Sequence, residues 1–486
     1  MLKNSKSIKE KLNIPVLVPK KKPAPKQKPR PRSKPPKKEP SLPTRKSLRI
    51  RGFKPDGSEA KRRAEEEAKA EKVAIEKRAR KEGDLDLGSV RSEDMSLDDA
   101  KHFLGVLRDL SKTRTESEVE GIKNEDIDYS TVVGGEHGLR SVRRVYRTLI
   151  MGQRWTSVNV TPERIYCMAV HPATDKILVA AGDKVGSLGF WDVRDKVKSE
   201  DDDEDEPRTF MFEAHTKTII SIKYLPVDSN QLFTCSYDGS IRFMDLNKAK
   251  FVEALVSRDL LSCIDFHPNS KVMYFSTNDG KFGIKDLREP VETYEEYSLH
   301  DKKIGCISIS PTKPELLVTS SLDKSIRLWD VRNLKDAETL IQEVPFKYSV
   351  TSSYWSPNGD QVVSTSFDDT VRVFDLDERN LKLRLTIPHD NQTGRWVTML
   401  RATWHPNPNV HPHFIIGNMR KSADIISGIN GELIWNMRDK QLTTIPAVNA
   451  FHPSLNFIAS GNASGKMFSW EERDGSDLKA VENQGH

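Results

Sequence analysis

In the stretch HDNQTGRWVTMLRATWHP, His389 to Pro406, a glycine, an arginine and a tryptophan stand side by side at Gly394, Arg395 and Trp396 on a polar loop. These types together suit a grip on a polyanion. Glycine lets the backbone turn sharply, a guanidinium holds a phosphate or lies in a groove, and an indole offers its face to an unstacked base. The alternative is that Trp396 opens a strand, WVTMLRATW, and is buried while Arg395 is merely solvated. Elsewhere His215 with Asp238, and His300 with Asp323 and Thr319 or Ser321, combine histidine, carboxylate and hydroxyl as a hydrolase would. There is no phosphate-binding glycine loop, no metal-ligand spacing and no nucleophile elbow. No catalytic residue, metal or cofactor is therefore expected.

The elements that must position these residues repeat. QLFTCSYDGSIRFMDL (Gln231–Leu246), KVMYFSTNDGKFGIKDL (Lys271–Leu287), ELLVTSSLDKSIRLWDV (Glu315–Val331) and QVVSTSFDDTVRVFDL (Gln361–Leu376) share one design. Each is a β-rich run, a polar turn and a second β-rich run ending at Asp. Short strands closing on a proline precede them, such as IDFHP and ISISP, and MAVHP, ATWHP and NAFHP extend the series. About seven units result, at a spacing in the propeller range. Trp191-Asp192 and Trp329-Asp330 resemble the signature dipeptide of WD-repeat β-propellers, with Phe374-Asp375, Met244-Asp245 and Lys285-Asp286 as degenerate versions. A four-stranded sheet cannot bury both faces alone, whereas a closed ring stacks each sheet on the next. Repetition also assigns the histidine, aspartate and hydroxyl sets, with Trp329, to the scaffold, because buried polar groups need partners. Three units end in Asp-x-Arg, at Arg194, Arg288 and Arg332. This resembles the motif by which WD-repeat receptors dock the large propeller adaptor of cullin-4 ubiquitin ligases.

Charge is unevenly placed. Net charge is +6 over 486 residues, yet residues 1–82 hold 28 Lys+Arg against 10 Asp+Glu, an excess of +18 that leaves −12 for the rest. A basic arm on a mildly acidic body points to a polyanionic partner, nucleic acid first. Val18 to Pro40 alternates proline with lysine and arginine, which blocks helix and keeps the segment extended. In TRKSLRIRG, Thr44 to Gly52, Arg45, Lys46, Arg49 and Arg51 are candidates for non-specific phosphate contacts, and Lys20-Lys21-Lys22 for nuclear import. Glu59 to Glu82 reads as a charged, solvated helix. Met95 to Leu110 reads as a short amphipathic helix capped by Ser96 and docked on the body. The acidic run Ser199 to Pro207 reads as a solvated connection between the first two units. Cys167, Cys235, Cys263 and Cys306 lie singly in strand-like runs and read as buried apolar residues in a reducing compartment. No run approaches the ~18 apolar residues of a membrane span, so a soluble, intracellular protein is expected.

The Gly-Arg-Trp loop, the following FIIGNMRKSADIISGINGELIW (Phe414–Trp435) and the SLRIRG box (Ser47–Gly52) together resemble one family, the fungal WD-repeat DNA damage-binding proteins and their animal relatives. More distantly they resemble the small, DNA-contacting subunit of the UV-damaged-DNA-binding complex. The resemblance covers residues 44–475. It implies a nuclear protein that binds DNA, prefers UV-damaged duplex and acts in DNA metabolism and repair, and it carries DNA contact onto Arg395, Trp396, Arg420 and Lys421. The expected chain is all-β, a seven-bladed WD-repeat β-propeller preceded by a disordered basic arm and a charged helix. Its expected parts are the arm (1–57), charged and amphipathic helices (58–115), a lead-in (116–160), the propeller (161–475) and a tail (476–486). Expected partners are double-stranded and also single-stranded DNA, with a ubiquitin-ligase adaptor or chromatin proteins as the alternative. No membrane and no small-molecule substrate are expected.

Overall fold

The computed structural model describes residues 80–117, 136–152, 157–198, 205–335, 338–394 and 396–472. The basic arm, with Arg45, Lys46, Arg49 and Arg51, lies outside them, as does Arg395. The repeats form seven antiparallel sheets. Blades 1 to 7 occupy residues 165–212, 219–256, 261–298, 304–345, 350–388, 403–437 and 448–472. The innermost strands of blades 1 to 6 pack on one another in turn, the second strand of blade 6 packs on the innermost strand of blade 7, and that strand packs on the innermost strand of blade 1, so the ring closes. Strands such as Ile304–Ile309 and Leu316–Ser321 are buried at every position, because both faces of a blade are covered by its neighbours.

The signature positions explain the packing. Trp191 and Trp329 are fully buried. Trp329 Nε1 donates to Thr319 Oγ1 at 2.9 Å, and His300 sets Nδ1 2.7 Å from Asp323 and Nε2 2.6 Å from Thr319 Oγ1. His215 repeats this with Asp238 at 3.0 Å and Thr234 at 2.8 Å. Ser321 instead accepts from the Asp323 amide. Lys285 holds the tryptophan's place in blade 3 at 1% exposure. Its ammonium donates to the carbonyls of Glu289, Pro290 and Thr293, which satisfies the buried charge without a carboxylate.

Blade 7 is completed by the lead-in. Strand Lys466–Glu472 pairs on its outer side with Leu149–Met151 and Val158–Asn159, so segments more than 300 residues apart close the ring. Leu85–Asp86 likewise adds a fifth strand to blade 2. Helix α1 (Leu97–Ser117) starts at a capping box in which the Asp99 amide donates to Ser96 Oγ at 3.0 Å. It buries Phe103 completely against Phe190, Phe210 and Phe212, with ring centroids 4.6–5.2 Å apart. Helix α2 (Glu136–Thr148) packs on blades 6 and 7 and joins Tyr146 Oη to His413 Nε2 at 2.6 Å.

Two local expectations change. Residues 80–82, the described end of the expected charged helix, are not helical, because Arg242 captures the Lys81 and Gly83 carbonyls and straps the segment to blade 2. The acidic run does not connect blades. It falls inside blade 1, between paired strands Leu188–Lys198 and Asp205–Phe212. The third strand of blade 1 runs past Trp191-Asp192 to Lys198, and Asp205, Glu206 and Pro207 begin the fourth.

Candidate nucleic-acid interface

In a four-stranded antiparallel blade, alternate connections fall at alternate ends. The turns between second and third strands share one end of the ring with the connections from each fourth strand to the next blade. The proline turns and the Asp-x-Arg segments share the other. Trp396 lies in the connection from blade 5 to blade 6, and Arg420 and Lys421 in the second-to-third turn of blade 6. The fold therefore brings these three to one end.

The blade 5–6 connection is the longest of its kind. It runs fourteen residues, 389–402, against four to six for those entering blades 1 to 5, and the next longest, 438–447, leaves blade 6. Its flanks are pinned. Asn391 Nδ2 donates to the Ser366 carbonyl at 2.8 Å, Gln392 Nε2 to Phe367 at 2.7 Å, and Thr398 Oγ1 to Ile165 at 2.6 Å. Leu400 is buried under blade 6. Between these anchors the apex turns at Gly394, which adopts φ +62° with open space around it, and Trp396 is 78% exposed. Trp396 therefore does not open a buried strand, and the inner strand of blade 6 begins at Thr403.

A change in the scaffold frees this end of blade 6. In blade 4 the turn Ser321-Leu322-Asp323-Lys324 places Asp323 under His300. In blade 6 the matching turn is Asn418-Met419-Arg420-Lys421, so an arginine replaces the tethering aspartate. The matching histidine, His389, sets Nδ1 2.8 Å from Asn391 Oδ1 instead. The Arg420 amide donates to Asn418 Oδ1 at 2.9 Å, and both Arg420 and Lys421 are exposed. Lys421 has φ +60°. Most blades use glycine there, and at Gly280 a Cβ would sit 2.0 Å from the His300 carbonyl. Lys324 and Asp369 hold the same turn position in blades 4 and 5 at φ +75° and +58°, so the left-handed residue belongs to the turn and not to blade 6 alone.

Arg420 and Lys421 line an open cavity of about 470 Å³ with Arg438, Asp439, Lys440 and Leu442. Four cations meet one carboxylate there. Arg438 and Lys440 escaped the sequence reading because they follow a strand as ordinary polar residues, and the one signal was the length of their connection. Of the eight exposed large hydrophobic residues among those described, Val185, Leu260, Tyr348 and Trp396 lie in the connections of this end. Lys347 stands 5.4 Å over the Tyr348 ring. Cations interleaved with exposed aromatic faces are the surface that backbone gripping and base stacking require.

The Asp-x-Arg residues occupy the other end. Arg288 grips Asp286 through Nε at 2.9 Å and pulls that carboxyl down to about 2. Arg332 Nη2 holds Asp330 at 2.8 Å, and Arg379 joins the same carboxylate. Side chains of Arg288 and Arg332 remain 75% and 66% exposed, and Arg194 is exposed.

The ring of seven sheets with Trp-Asp strand ends defines a WD-repeat β-propeller. The family model described as WD domain, G-beta repeat matches residues 206–245, 289–330 and 341–375. Over 468 residues the chain is 35% identical to a protein of Phaeosphaeria nodorum named DNA damage-binding protein CMR1, covering 89% of this chain and 88% of the relative. The cmr1 proteins of Neurospora crassa, at 34% over 89% and 88%, and of Emericella nidulans, at 35% over 93% and 90%, are similar along the same extent. The chain belongs to this family of WD-repeat proteins.

Proposed function

We propose that this protein is a non-catalytic nuclear DNA-binding protein that prefers UV-damaged duplex and acts in the DNA damage response. The relatives are named for binding damaged DNA. The observation that carries the reading is Trp396, 78% exposed on a pinned loop, at the end of the ring where Arg420, Lys421, Arg438 and Lys440 converge. The cations hold the phosphate backbone, and Trp396, with Arg395 beside it in sequence, meets bases that a lesion has loosened. Binding of UV-irradiated and intact duplex by wild type and Trp396→Ala, across a salt series, tests this. The variant should lose about 1–3 kcal/mol toward damaged duplex with its melting temperature unchanged. A variant that melts well below wild type yet binds normally when folded removes Trp396 from the interface.

A second reading, adaptor docking for a cullin-4-type ubiquitin ligase, draws on the exposed Arg194, Arg288 and Arg332. They sit at the end opposite Trp396, which lets one propeller hold DNA and an adaptor together.

A further inference from the structure

The inner strands line a channel along the propeller axis. It widens into a cavity of about 570 Å³ whose walls include the turns at Pro172, Pro311, Pro357, Pro406 and Pro453, so its mouth is at the end opposite Trp396. Five positions before each of these prolines, and at the matching positions of the other two blades, the inner strands form a ring. Six members are small: three cysteines, two serines and a valine. The seventh is Arg401, and the small neighbours leave room for its guanidinium.

Arg401 hydrogen-bonds the Tyr354 hydroxyl, and its other electrostatic neighbours are the thiols of Cys263 and Cys306. No carboxylate among the described residues is paired with it. Two positions nearer the mouth, Lys223 Nζ meets Asp265 Oδ1 at 2.6 Å, and these charges cancel. The channel thus holds at depth one guanidinium with no carboxylate partner; burial works against its charge, and Tyr354 and the two thiols favour it. A hydrogen bond with Cys306 and then, against burial, the charges of Lys223 and Arg401 lower the Cys263 thiol, while burial raises that of Cys306. Tyr224 also lines the cavity, with its hydroxyl buried and without a partner. The remaining wall is largely apolar, including Met168, Trp355, Met399 and Trp404.

We propose that the channel is a binding site for an apolar-tailed monocarboxylate, which enters past the proline turns and sets its carboxylate on Arg401. Arg401 is the one cation at its level of the ring, which matches a single carboxylate. Pro406 at the mouth lies five positions from Arg401, roughly 16 Å of extended chain, so the carboxylate must stand at the tip of a narrow chain. A fatty acid and the C-terminus of an inserted peptide both supply that chemistry. A carboxylate can take two parallel hydrogen bonds from the guanidinium.

The test is calorimetric titration of the full chain with decanoate, with N-acetyl-alanyl-leucyl-alanyl-leucine, and with that peptide's C-terminal amide. At least one carboxylate should bind with 1:1 stoichiometry, and the amide should bind weaker by about tenfold or more. Binding by decanoate alone assigns the site to fatty acids, and by the peptide alone to chain termini. Arg401→Met, which keeps much of the side chain's bulk and removes the guanidinium, should lose about tenfold or more in affinity. Ala169→Phe, which fills the channel and keeps the guanidinium, should lose binding equally, and it decides the matter if Arg401→Met does not fold. Both variants should bind DNA as wild type does, which separates this site from the opposite end. No binding by either carboxylate at about 1 mM, equal binding of acid and amide, or wild-type affinity in Ala169→Phe overturns the proposal.

Discussion

The two ends of the propeller are made by the same hairpins and carry opposite chemistry. At the proline-turn end the polar groups are largely paired within the scaffold: Arg288 on Asp286, Arg332 on Asp330, His413 on Tyr146. At the other end the rules of the repeat are broken at blade 6. The position held by Asp238, Asp279, Asp323 and Asp368 in blades 2 to 5 becomes Arg420, and a connection of about five residues grows to fourteen. A repeat protein teaches by its exceptions. Positions that recur from blade to blade are packing, and a departure from the repeat points to a role outside it.

The sharpest separation of the two ends is a double variant at the proline-turn end. Arg288→Ala with Arg332→Ala should abolish co-purification of the large propeller adaptor of cullin-4 ligases and leave DNA affinity intact. Wild-type protein that never brings the adaptor down, or a double variant that still does, sinks adaptor docking and leaves these arginines as partners of their own aspartates. Next in size is the arm. Removing residues 1–82 takes away an excess of +18. The slope of log affinity against log salt should then shrink by roughly 0.9 for every phosphate that the arm had neutralised. The preference for damaged over intact duplex should survive if lesion reading lies, as proposed, at the Trp396 end of the propeller. An unchanged slope rejects the arm as the source of non-specific affinity.

A smaller effect belongs to the cavity beside blade 6. Arg438→Ala with Lys440→Ala should lower the salt slope by about 2 and weaken damaged and intact duplex alike, in contrast to Trp396→Ala, which should lower the ratio between them. A loss confined to damaged duplex would move these cations from backbone gripping to lesion reading.

Mildest is the response to acid, which should strike the proline-turn end first. His405 is brought down to about 4 by burial, and His413 lies well below the usual histidine range for the same reason. Unfolded histidine titrates near ~6.5, so between roughly pH 6.5 and 4 the unfolded chain binds more protons and stability falls as pH falls. Hydrogen exchange at pH 5 should show opening at 136–151 and 403–437 before the blade 2–4 core. Uniform exchange at both pH values would mean that these histidines do not control the docking of α2.

Much of this molecule was legible in its sequence because a propeller is written locally. The turn-and-strand beat, the Trp-Asp ends and the prolines each lie within one hairpin, so register follows from neighbours in the chain. The same repetition separated His300 and Asp323 from any catalytic reading before their 2.7 Å contact was known, and the Gly-Arg-Trp loop announced itself by interrupting the beat. What the tertiary structure alone decided depends on residues distant in sequence. The outer strand of blade 7 comes from 149–159, and a three-residue strand carries no signal of a partner more than 300 residues away. Trp396 could be strand or loop in the sequence, and only the pinning of Asn391 and Thr398 against other blades leaves it exposed. Arg438 and Lys440 join Arg420 and Lys421 because alternate connections share one end of the ring. Arg401 is an ordinary strand arginine until seven inner strands converge and place it among small residues on the axis. Local hydrogen bonds and periodicity encode the blades, whereas which side chains share a surface or a channel is fixed only when the ring closes.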